Sequence, residues 1–169
     1  MTVNTAKRNG AKVIIGVLVL TLYAGEASAL CAGAPDIAAI KSRTLQSELM
    51  VSGLVCGQRD NYNDFVRKFR PTLVGYGKHL KSYFAEIYGN VGEKKLNTFV
   101  TRSANAASSK SATDSAFCDK ASVKFEKLDS LDVSSYGSFI ASVKPFFPQN
   151  VSACTETASA VIKQDKQMR

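Results

Sequence analysis

Residues 49–71 read LMVSGLVCGQRDNYNDFVRKFRP: an apolar run that ends in Cys56, then a glycine, a polar turn and the start of an amphipathic segment. Whether Cys56 is a nucleophile, a metal ligand or half of a disulfide decides what kind of molecule this is. Read backwards from Gly57, the stretch PDIAAIKSRTLQSELMVSGLVCG is one helix. Pro35 and Asp36 stand at its start, good helix formers fill it, and Gly57 stops it. From Asp36 to Cys56 such a helix is about 31 Å long. The residues 49–56 are apolar around the whole circumference, which predicts a central position with other helices on all sides. Ser52 and Gly53 then serve as close-approach points.

The compartment fixes what cysteine can mean. Lys7, Arg8 and Lys12 precede the apolar stretch VIIGVLVLTLYA (13–24), and Ala27-Ser28-Ala29 supplies a small-x-small cleavage pattern. This is a secretory signal peptide over residues 1–29, too short in its apolar core to span a bilayer. Leu30 stands where a lipidation signal at Cys31 wants a small residue, so cleavage is expected before Leu30. Residues 30–169 then form a single helical domain with a polar tail after about residue 155. The chain has 22 basic and 14 acidic side chains; the leader removes three and one, leaving a formal charge of +6. In a periplasmic or secreted protein that charge points to anionic envelope components or a protein partner, not to nucleic acid. No later segment is long and apolar enough to cross a membrane.

Cys31, Cys56, Cys118 and Cys154 all follow the leader, an even number in an oxidising compartment, which predicts two disulfides. The lead from Cys31 to the helix reaches back at most about 17 Å. Disulfide partners need Cα atoms within about 7 Å, so Cys31 cannot meet Cys56 at the far end of the helix. Two crossed pairings remain: Cys31–Cys154 with Cys56–Cys118, or Cys31–Cys118 with Cys56–Cys154. The first ties the chain ends and separately staples the two interior segments. No CxxC spacing occurs and His79 is the only histidine, so no metal site or cofactor site is expected.

The remaining chain is helical by its spacing. Phe65, Val66, Phe69, Leu73, Tyr76, Leu80, Phe84 and Ile87 recur at three and four over 61–88, with a kink or restart at Pro71. A third helix over 92–108 turns Leu96, Phe99, Val100 and Ala104 inward. It runs into SANAASSKSATDS, read as a small-residue helix end and flexible linker. A fourth covers 114–128 and a fifth 133–143, stopped by KPFFPQN, whose Phe146 and Phe147 are expected to plug one end of the bundle, the alternative being an exposed hydrophobic anchor between the prolines. The fold class is all-α, a disulfide-stapled bundle of about five helices.

The segments KSRTLQSELMVSGLVCG, YNDFVRKFRPTLVGYGKHLKSYF, LNTFVTRSANAAS and FCDKA resemble an uncharacterised family of secreted, periplasmic helical proteins from alphaproteobacteria. The resemblance covers most of the mature chain and implies the compartment and the fold. It also implies that Cys56 pairs with Cys118, and it carries over no catalytic residue.

No serine motif, paired-carboxylate spacing or glycine-rich phosphate loop accompanies His79, which reads as a partly exposed histidine at the margin of an apolar face. Asp60 and Asp64 suit a helix start through its dipole. Arg67, Arg70, Lys78 and Lys81 project opposite the apolar face of the second helix if Pro71 keeps the register, and form a candidate anion-binding strip against the alternative of a solvated face. The expected function is a non-catalytic binding or adaptor module; the alternative is a small periplasmic hydrolase whose site one sequence does not reveal. The secreted protein is expected to begin at Leu30 and to hold no free thiol. Intact-mass spectrometry with and without reduction checks both, and a diacylglyceryl mass on Cys31 or alkylation without reduction would contradict them.

Overall fold

A computed structural model describes residues 31–144 and Cys154. The leader, the segment with Phe146 and Phe147 and the tail after about 155 lie outside the described residues. Helix α1 spans Ala34–Val55. Pro35 occupies its first turn, where a missing N–H costs nothing, and the Asp36 Oδ2 accepts the Gly33 N–H at 2.9 Å. It ends at Cys56, after which Gly57 takes φ +70°, a left-handed conformation that glycine adopts without a Cβ penalty.

Helices α2 (Arg59–Lys68) and α3 (Arg70–Tyr88) are separated only at Phe69, just ahead of Pro71 in the first turn of α3. The restart expected at the proline is therefore present. The backbone bonds Phe69 N–H to Phe65 O (3.1 Å) and Leu73 N–H to Phe69 O (2.9 Å) carry the chain through it. Helix α4 covers Gly92–Thr113, α5 Phe117–Ser130 and α6 Tyr136–Ser142, the last preceded by a 3-10 turn at Val133–Ser135. Among the described residues there are six α-helices and no strand, an all-α bundle stapled by two disulfides.

Helix α1 packs against all five of the others. Its Leu45 and Leu49 join Phe65, Phe69, Phe125, Leu128, Tyr136 and Ile140 in one apolar cluster, and its Ile40 joins Leu80, Phe84 and Phe99 in a second. Small residues let neighbours come close. A Cβ on Gly53 would lie 3.1 Å from Tyr62 Cβ, and one on Gly92 would lie 2.6 Å from Phe84 O, so α4 starts where the backbone of α3 leaves room only for glycine.

Two expectations fail. The end of α1 is not enclosed: Leu54 is 56% and Val55 54% exposed. The chain reverses at Gly57, α2 covers the Gly53 side and α5 the Cys56 side, and no described element covers the third. Residues 103–113, expected as helix end and linker, continue α4. Ser103 and Ala107 are buried, Ala107 against Val51 and Phe117, so packing adds to the helix propensity of the alanines and offsets the weak propensity of the serines.

The disulfides are Cys31–Cys154 and Cys56–Cys118, with Cα separations of 4.8 and 5.6 Å, the first of the two crossed pairings. Replacing Cys56 by serine is expected to lower stability by about 2–5 kcal/mol. Denaturant titration measures that loss, and peptide mapping without reduction must recover a Cys56–Cys118 cross-link in the parent protein.

Candidate binding cleft

A cleft of about 450 Å³ lies between α1, the α2–α3 arm and α4. Buried Ala39, Ser42 and Leu80 form its floor, and Leu73, Val74, Leu96 and Val100 its apolar walls. Besides Ser42 in the floor, its polar side chains are Arg70 from the start of α3 and Asn97 from α4, both exposed at the mouth, and Arg43 and Gln46 from α1 and Tyr76 from α3, all half-buried. No Asp or Glu lines it. Arg43 Nη1 donates to Gln46 Oε1 at 2.8 Å, one turn along α1, which holds the guanidinium against that helix. Among the described residues neither Arg43 nor Arg70 has a carboxylate within ion-pair distance.

The four basic residues proposed from sequence are all exposed, and the structure divides them. Arg67, on α2, pairs with Asp64 at 3.1 Å. Arg70, Lys78 and Lys81 share α3; on a helix of 3.6 residues per turn Lys81 lies about 20° and Lys78 about 80° around from Arg70. Only Arg70 reaches the cleft, and its companion there is Arg43, which the strip did not include. No local pattern singles out Arg43, since α1 also carries Lys41 and Glu48 on other faces.

His79 is not idle. Its Nε2 lies 2.7 Å from Asp36 Oδ1, while the other carboxylate oxygen holds the Gly33 N–H, so the pair ties α3 to the start of α1. Asp60 lies in the first turn of α2, as expected of a carboxylate near a helix N-terminus. On the far side of α1, Glu48 receives Lys124 at 2.6 Å and Lys110 at 3.7 Å, joining α1 to α5 and α4. Lys120 and the Ala116 N–H hold the Asp114 carboxyl below the usual carboxylate range. No group of three or more His, Cys, Asp or Glu able to hold a metal ion occurs among the described residues.

Behind the floor, Ser42 Oγ and Tyr136 OH share a buried hydrogen bond of 3.1 Å. Burial pushes the Tyr136 phenol up to about 12, the Ser42 bond opposing part of the rise. Comparison of the chain with protein-family models, curated proteins and solved structures finds no match.

A phenol pKa raised from 10.0 to about 12 in the fold means that the unfolded chain ionises first as pH rises. The stability this contributes is complete below pH 10 and is lost between there and about 12. Tyr136→Phe is expected to cost about 1 kcal/mol at neutral pH, because Ser42 keeps its buried hydroxyl without that partner. It should also shrink the fall in Tm between about pH 9 and 11. Thermal melts of the two proteins at both pH values check the sign.

Proposed function

We propose that the protein is a periplasmic, non-catalytic binding or adaptor module that engages an anionic envelope component. The observation that carries this reading is the cleft with two arginines and no carboxylate in its lining. Guanidinium groups in that setting are free to take carboxylate or phosphate oxygens in paired hydrogen bonds. Lys81, on the same side of α3 as Arg70, and Lys78 extend the positive surface beyond the cleft. The two disulfides fit an oxidising compartment, and no helix among the described residues is long and apolar enough to cross a membrane. The leader and the likeness to secreted alphaproteobacterial proteins support the same placement.

The test is sedimentation with vesicles. Vesicles containing anionic phospholipid are expected to carry the oxidised mature protein down at low salt, and zwitterionic vesicles to leave it in solution. Replacing Arg67, Arg70, Lys78 and Lys81 by glutamine should weaken the association and flatten its salt dependence while preserving the helical circular-dichroism spectrum. Unchanged sedimentation of that variant would return the four residues to a solvated face.

A further inference from the structure

We infer that the cleft binds a small single-chain amphipathic carboxylate, its headgroup on Arg43 and Arg70 and its apolar chain between α3 and α4. The inference deepens the reading of the protein as an anion-binding module by assigning a ligand class to the cleft. Three observations carry it. The first is the mixed lining of the cleft, in which the guanidinium groups of exposed Arg70 and half-buried Arg43 stand beside half-buried Leu73, Leu96 and Val100 and buried Leu80. A free inorganic anion needs only the guanidinium groups, and a neutral apolar molecule only the apolar side chains. The second is size: about 450 Å³ lies toward the lower end of the range for small-molecule sites, enough for one chain and its headgroup rather than for a two-chain lipid.

The third is Gly77. A glycine inside a helix is destabilising by about 0.5–1 kcal/mol relative to alanine, and it usually has a packing reason. Gly53 and Gly92 have one, since a Cβ there would meet neighbouring atoms at 3.1 and 2.6 Å. Gly77 has none: a Cβ built on it meets nothing within 4 Å. Yet it lines the cleft, so the missing side chain keeps the cavity open along the wall made by α3. Gly75 has equally open surroundings but lies about 200° around the helix and outside the cleft; nothing in the structure explains it.

That pair of glycines supplies the experiment. Isothermal titration of the oxidised mature protein uses decanoate below its micelle concentration, with acetate and decyltrimethylammonium as the headgroup-only and wrong-charge probes. Decanoate is expected to bind at one per chain, and the other two to bind at least about tenfold more weakly. The double variant Arg43→Gln, Arg70→Gln should weaken decanoate about tenfold or more, the loss of charge-assisted hydrogen bonds to the headgroup. Gly77→Phe should abolish binding by filling the cleft, while Gly75→Phe, an equal insult to the helix, binds as the parent does. Matching thermal melts of the two glycine variants show that both fold; if Gly77→Phe does not, Gly77→Leu replaces it. Decanoate binding that is absent, or is indifferent to the arginine pair or to Gly77→Phe, overturns the assignment, as does equal binding of the cationic probe. Sedimentation with anionic vesicles that persists when decanoate fails would leave the adaptor reading standing and remove only the cleft ligand.

Discussion

Every other element is arranged around one helix whose two ends are covalently held. Cys31 precedes α1 and is tied to Cys154, while Cys56 follows it and is tied to the first turn of α5. The cross-linked residues are 123 and 62 positions apart. By the chain-entropy model each bridge is worth about 4 kcal/mol, against a total of about 5–15 kcal/mol for a domain of this kind. With its ends so restrained, α1 can present a buried surface that hydrophobicity alone would not specify. Ser42, Thr44, Ser47 and Ser52 are as buried as Leu45 and Leu49. Their small size lets α3, α4 and α6 approach closely, and Ser52 Oγ and Ser42 Oγ find partners in Glu48 O and Tyr136 OH.

The cleft follows from that close packing on one side and from the interruption at Phe69 on the other. Phe69 is fully buried against Tyr136, with ring centroids 4.8 Å apart, so the junction between α2 and α3 is anchored in the core rather than loose at the surface. Anchoring it there sets Val66, at the end of α2, and Arg70, at the start of α3, into the same wall. Further along α3, Leu80, Tyr83 and Phe84 pack on Ile40 and Phe99 and close the far end. Between the two anchors the wall carries Leu73, Val74 and Gly77, residues that line the space without filling it.

Much of this architecture was legible because it rests on spacing. The three-and-four recurrence from Phe65 to Ile87, the stop at Gly57 and the reach argument that separates Cys31 from Cys56 are all properties of a chain read locally. What was not legible depends on partners. An all-round apolar segment indicates burial on every side, yet Leu54 and Val55 stay exposed because the described elements cover only part of that circumference. The serine and alanine run after Phe99 has the composition of a linker and becomes helix because Ser103 and Ala107 fit against α1. His79 gains its role from Asp36, 43 residues earlier, and Arg43 gains its role from Arg70 across a helix junction. Neither relation has a local trace.

The distribution of charge gives the cleft its character more than the net charge does. Acidic groups are engaged elsewhere: Glu48 with Lys110 and Lys124, Asp114 with Lys120, Asp64 with Arg67, and Asp36 with His79. The lysine and arginine contacts among these neutralise positive charge on their own parts of the surface. The cleft has no such neutralisation among the described residues, and no carboxylate in its lining. An anion bound there meets guanidinium groups without a competing carboxylate, and the apolar walls lower the screening that water would otherwise provide. A ligand that supplies charge at one end and hydrocarbon at the other satisfies both kinds of lining at once.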